Sequence, residues 1–213
     1  MIGDIRGVPV LLTLAVFLLA ACSEPPDESA DGKDFAAPGP DFSYISVSNG
    51  RVRTLHELKY EIAVAGDFAV TEPKNRVDDF GNTPYRISLA AFIGDDRALM
   101  IHAEEVADSS GASNYSHLSM SDWPDKTFRT SGPSCLHISP EEVAGEHDLQ
   151  WLRQNGFEPS GDLLYAQYFA TTADMNTEIV ISMLLHVGSC DDDPDSLMAI
   201  DEFQLRTSVT RIE

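Results

Sequence analysis

The chain has 213 residues, with 35 Asp and Glu against 14 Lys and Arg, and a formal net charge of −21 at pH 7. This excess of negative charge disfavours binding to phosphate backbones, so we expect no nucleic-acid partner. It favours a basic protein partner or cations, although solubility alone would also account for it. Residues 42–213 are numerous enough for a single domain with a full core.

The first predicted element is an export signal over residues 1–21. Residues 8–21 contain no charged side chain and follow a short segment with one arginine, Arg6. A transmembrane helix needs about 20 apolar residues, whereas the apolar part of a signal peptide needs roughly 7–15. The length of the apolar run therefore favours a signal peptide over a membrane-spanning helix.

The apolar run ends in Leu19-Ala20-Ala21-Cys22. This ending resembles the lipobox of bacterial lipoproteins. The resemblance implies a thioether-linked diacylglyceryl group on Cys22, cleavage before it and a membrane attachment through that lipid. Ser23 stands where an aspartate tends to retain enteric lipoproteins in the inner membrane, so the resemblance implies the periplasmic face of the outer membrane. An ordinary secretory signal cleaved nearby is the alternative.

An acidic, proline-rich segment follows. Residues 23–41 contain four prolines and six acidic residues against one lysine. Such a composition cannot bury enough apolar surface to offset the entropy of ordering the chain. We therefore predict that residues 22–41, including the lipidated cysteine, form a disordered linker, with a mean end-to-end distance of roughly 25 Å.

Alternation of apolar and polar residues predicts two β-hairpins in the domain. A further alternating strand covers residues 58–64, and shorter strands are predicted at 44–47 and 115–120. The hairpins pair residues 85–93 with 99–103, through Gly94-Asp95-Asp96, and residues 163–172 with 178–187, through Ala173-Asp174-Met175-Asn176.

Helices are fewer. Ser139-Pro140-Glu141-Glu142 has the features of a helix start, and Asn155-Gly156 is a stop signal. The segment between them is predicted as one helix interrupted at Gly145 or as two short helices. A C-terminal helix, capped at Asp195-Ser196, would place Leu197, Ile200 and Phe203 on one side. Hairpins with few helices predict an α+β fold, with an antiparallel sheet of about five to seven strands and helices on one face.

The cysteines predict a disulfide. The chain has three, and an odd cysteine in an exported protein needs an explanation. Lipidation of Cys22 leaves Cys135 and Cys190, which could pair in an oxidising compartment. The alternative is a catalytic Cys135 activated by His137, but the sequence suggests no third residue to orient that pair.

Other candidate sites carry weaker signals. Trp123, in a polar loop, is a candidate interface residue. His102 and Glu104 share one strand face and could bind one ligand together. We predict no catalytic residue, no cofactor and no metal site. The weak metal candidates are Asp191, Asp192, Asp193 and Asp195, which lack the spacing of a calcium-binding loop.

These features favour a non-enzymatic lipoprotein of the cell envelope, anchored through Cys22, that binds another envelope protein. The acidic charge also suits an immunity or inhibitor lipoprotein that neutralises a basic toxin or hydrolase. An enzyme acting on envelope material is a third hypothesis. It is disfavoured because the sequence contains no familiar catalytic motif.

Overall fold

The computed structural model describes residues 41–80, 82–190 and 194–213, all within one compact unit. The predicted signal peptide, Cys22, Asp191–Asp193 and all of the predicted linker except its last residue lie outside the described residues, as does the side chain of Asp195. No helix in the described ranges is long and apolar enough to cross a membrane.

Most of the described chain is β-structure, with three helices. The helices are α1 Pro140–Gly145, α2 His147–Gln154 and α3 Pro194–Arg206. The strands are β1 Ile45–Ser48, β2 Arg51–Thr54, β3 Tyr60–Val64, β4 Ala69–Val70, β5 Lys74–Phe80, β6 Thr83–Ile93, β7 Arg97–Val106, β8 Ser119–Met120, β9 Arg129–Thr130, β10 Ser134–Ile138, β11 Gly161–Thr171, β12 Thr177–His186 and β13 Thr207–Arg211.

The strands form two antiparallel sheets. The smaller has the order β1-β2-β3-β13. The larger has nine strands and the order β4-β6-β7-β12-β11-β9-β8, with β5 also paired to β6 and β10 also paired to β11. The predicted antiparallel architecture with few helices is confirmed, and the fold is predominantly β. The prediction of one sheet with five to seven strands is wrong, because β1, β2, β3 and β13 form a separate sheet.

Each face of the larger sheet is covered by different elements. One face packs against the smaller sheet and α3, so that Ile62 of β3, Ile101 of β7 and Phe203 of α3 share one buried core. The other face packs against α2, where Leu89 of β6 and Leu152 join a second core. Helices therefore lie on both faces of the larger sheet, and the prediction of helices on one face is wrong.

Local sequence signals explain several elements. Both predicted hairpins are present, and Gly94 N donates to Arg97 O at 2.9 Å to close the first turn. Ser139 and Glu142 form a reciprocal capping box at the start of α1. Of the two predicted arrangements, two short helices is confirmed, since α1 ends at Gly145 and α2 begins at His147. The C-terminal helix is present as α3.

Candidate functional site

Two glutamates lie directly opposite each other on two central strands of the larger sheet, near the end of one strand and the start of the other. Glu104 of β7 pairs with Glu178 of β12 in the strand register. Glu104 also lies opposite Ile87 of β6, a residue of the core beneath α2, so the pair belongs to that face. Only 5% of Glu104 and 3% of Glu178 is exposed. Two carboxyl groups thus share one dry environment, where two negative charges would repel each other strongly.

This environment favours the protonated form of Glu178. Burial, and then the charge of Glu104, raise its pKa to about 8, although hydroxyl groups of Tyr115 and Ser113 lower it in part. Glu178 Oε2 has no hydrogen-bond partner among the described residues that meets strict geometry. At neutral pH the pair therefore retains a proton.

His102 extends the cluster towards α2. Its Nδ1 lies 2.7 Å from Glu104 Oε1, and its Nε2 lies 3.5 Å from Asp148 Oδ2. Burial disfavours the imidazolium form, but the charge of Asp148 and the contact with Glu104 outweigh burial and raise the pKa of His102. Conversely, although burial opposes it, the charges of His102 and Arg76 lower the pKa of the Asp148 carboxyl.

Charged side chains of β5 complete the cluster. Arg76 forms an ion pair with Asp148, and its Nε lies 3.3 Å from Asp78 Oδ2. Nδ1 of His147, on α2, lies 3.5 Å from the same oxygen of Asp78. The alternating charges link α2 to the edge of the larger sheet. The arrangement can bind a proton and stabilise the contact between α2 and the sheet.

His102 and Glu104 contact each other rather than presenting two free side chains to one ligand. No set of three or more His, Cys, Asp and Glu in the described ranges is arranged to hold a metal ion. Two cavities lie elsewhere on the described part of the chain: one of about 290 Å³ near Tyr60 and Arg211, and one of about 480 Å³ on α3. Neither is lined by a residue of the cluster.

The cysteine pair has the geometry of the predicted disulfide. Cys135 lies in β10 and Cys190 follows β12, with their Cα atoms 5.4 Å apart and their sulfur atoms bonded. His137, the candidate activator of a catalytic thiol, instead contacts Asp162 Oδ1 through Nδ1 at 2.6 Å. The backbone amide of Cys190 donates to the other oxygen of Asp162 at 3.1 Å. The geometry therefore pairs Cys135 with Cys190 and His137 with Asp162.

Trp123 is partly buried, and its ring meets that of Tyr168 edge to face, with centroids 4.6 Å apart. The indole also packs against the core between the two sheets. Much of the side chain is therefore used in packing within the domain, which makes Trp123 a weaker interface candidate than its polar sequence context indicates.

Sequence reasoning missed the outward face of α3. Met198 is 66% exposed and Leu205 is 89% exposed. With Asp201 and Glu202 they line the shallow cavity of about 480 Å³. Asp201, Glu202 and Leu205 follow Met198 by three, four and seven residues, which places all four on one side of the helix. The signal was available, since these are the positions outside the inward stripe formed by Ile200 and Phe203.

No protein-family model, characterised protein or solved structure matches this chain.

Proposed function

We propose that this chain is a lipid-anchored protein of the bacterial cell envelope that binds another envelope protein, without catalysis, through the outward face of α3. The sequence supports the anchor, through the lipobox-like ending at Cys22 and the acidic linker that follows it. The exposure of Met198 and Leu205 on one side of α3 supports the proposal that this face binds a partner protein.

Isolated exposed apolar residues are common on protein surfaces and need no explanation. On α3, however, two large apolar side chains flank one groove and have two carboxylates between them. Apolar contacts surrounded by polar groups are typical of protein interfaces. The face therefore has the composition of a small interaction surface.

The charge of the domain defines the chemistry of the partner. Residues 42–213 contain 28 Asp and Glu against 12 Lys and Arg. On α3, Glu202 is paired with Arg206 at 2.5 Å, whereas Asp201 forms no ion pair within the described part of the chain. A partner that offers a basic group beside an apolar side chain would complement both features.

Site-specific photo-crosslinking in living cells tests this proposal. A photoreactive amino acid at position 198 or 205 should give a covalent adduct with a basic envelope protein. The matched control is position 55, because Leu55 is an apolar residue with 52% exposure outside α3. Asp201→Lys combined with Glu202→Lys should abolish the adducts. The proposal fails if positions 198 and 205 give no adduct, or if position 55 gives the same one.

An immunity or inhibitor protein is the second candidate, favoured by the large excess of acidic residues in the domain. In that case the crosslinked partner would be a basic toxin or hydrolase, and purified domain would inhibit it. A partner without such an activity would exclude this candidate and leave the binding module.

A further inference from the structure

We propose that Glu104 and Glu178 form a proton-binding pair that controls how tightly residues 107–118, the cover segment, close over the larger sheet. This inference is independent of the proposed binding function. It rests on the register, the burial and the contacts of the two carboxyl groups.

The cover segment is fixed to the turn between β11 and β12 at two backbone positions. Gly111 N donates to Asn176 Oδ1 at 2.7 Å, and Ser113 N donates to Met175 O at 3.1 Å. Gly111 has a φ of +72°, and a Cβ atom there would lie 2.9 Å from Asp174 O. The backbone approaches the turn so closely that only glycine fits at this position. Gly111 is therefore a fixed point from which the rest of the cover segment can move.

The second half of the cover segment closes over the acid pair. The ring of Tyr115 stacks on Phe169 of β11, with centroids 4.3 Å apart. Its hydroxyl group and that of Ser113 interact with the Glu178 carboxyl. Ser113 is only 2% exposed, and its Oγ lacks a partner with good hydrogen-bond geometry, as does Glu178 Oε2. The closed cover therefore excludes water from Glu178 and solvates its charge poorly.

The groups that face Glu178 come from three elements. They are Glu104 from β7, Tyr85 from β6, and Tyr115 with Ser113 from the cover segment. The ion pairs found among the described residues do not include Glu178, and His102 reaches Glu104 instead. His56 Nε2 lies 2.9 Å from the backbone oxygen of Glu178, and not on its carboxyl group. Within the described ranges, no ion pair therefore compensates a second negative charge on the Glu178 carboxyl.

Loss of the proton has a mechanical consequence. An ionised Glu178 beside an ionised Glu104 would suffer both like-charge repulsion and desolvation. Lifting Tyr115 from Phe169 would admit water to both carboxylates and relieve both costs, while the released proton passes to solvent. Closure of the cover therefore binds a proton, and opening releases it.

The direction of the pH dependence follows from linkage. In the open state Glu178 should titrate near the ordinary glutamate value of about 4.3. In the closed state burial and Glu104 raise its pKa to about 8. Closure is therefore most favoured below the open-state pKa, weakens as pH rises towards the closed-state pKa, and levels off above it.

Hydrogen exchange of backbone amides in the cover segment, measured on wild type and Glu178→Gln between about pH 5 and pH 8, tests this inference. The intrinsic pH dependence of exchange cancels in the ratio of the two proteins. The wild-type to variant ratio of exchange rates should rise with pH across this range, by up to about tenfold per pH unit. The exposed Glu72→Gln control should follow wild type.

A second variant tests the pair itself. Glu104→Gln keeps an acceptor for His102 but removes the like charge beside Glu178. The opening of the cover segment, measured by hydrogen exchange, should therefore stop increasing at a lower pH in this variant than in wild type. Three results would overturn the proposal: a pH-independent ratio for Glu178→Gln, an equal change in the central strand β7, or a Glu104→Gln profile identical to wild type.

Discussion

His102 and Glu104 lie on the same face of β7, and the imidazole Nδ1 is 2.7 Å from Oε1 of the carboxylate. This contact assigns the Nδ1 proton to the bond with Glu104. It leaves Nε2 directed at Asp148, whose Oδ2 lies 3.5 Å away on α2. The histidine therefore connects a central strand to the helix that covers it.

The two most enclosed histidines should titrate in opposite directions. The charge of Asp148 and the bond to Glu104, which outweigh burial, raise the pKa of His102 above its ordinary value of 6.5, whereas burial lowers that of His56. NMR titration of the ring protons should give one midpoint above 6.5 and one below it. Asp148→Asn should lower the midpoint of His102 and leave that of His56 unchanged. A His102 midpoint at or below 6.5 would contradict the arrangement.

The same contact predicts a stability profile. Because the pKa of His102 is raised by folding, its stabilising contribution is fully present below the unfolded-state value of about 6.5. It is lost as pH rises through the folded-state value. Between the unfolded-state and the folded-state pKa of His102, the free energy of unfolding should therefore fall with rising pH more steeply in wild type than in His102→Gln, measured by urea denaturation. Parallel profiles for the two proteins would show that His102 is not charged in the folded state.

The disulfide between Cys135 and Cys190 should stabilise the domain by closing a loop with a sequence separation of 55. The chain-entropy model gives about 4 kcal/mol as an upper figure. Reduction should lower the melting temperature by up to about 10 °C for a domain of this size. Cys135→Ala combined with Cys190→Ala should lower it about as much as either change alone. Recovery of both cysteines as free thiols by non-reducing peptide mapping would contradict the pairing.

Two neighbouring positions on α3 should respond very differently to truncation. Phe203 is fully buried in the core between the sheets, whereas Leu205 is 89% exposed. Phe203→Ala should cost about 3–5 kcal/mol of unfolding free energy, because it leaves a cavity. Leu205→Ala should change the stability by no more than about 0.5 kcal/mol. Similar losses for both variants in chemical denaturation would mean that α3 packs on a different face.

The hairpins were predictable because their strands alternate clearly and have short turns between them. The smaller sheet was not, since β1 and β2 have four residues each and β13 follows α3 directly at Thr207, without a glycine or proline to mark the change. Short strands gain their stability from tertiary packing, which the local sequence does not record.

The acid cluster was predictable only in part. Alternation along one strand places His102 and Glu104 on the same face. The approach of Glu178 depends on the pairing of β7 with β12, and that of Asp148 on the docking of α2. Both contacts join distant parts of the chain, so the sequence pattern of a single element does not reveal them.

Labelling of cells with radioactive palmitate tests the central claim of a lipid-anchored protein most directly. The wild-type protein should incorporate the label and fractionate with membranes. Cys22→Ser should incorporate none and fractionate as a soluble protein, because one cysteine carries the proposed anchor. Cys135→Ser is the matched control and should be labelled like wild type. Label retained on Cys22→Ser, or a wild-type protein without label, would contradict the account.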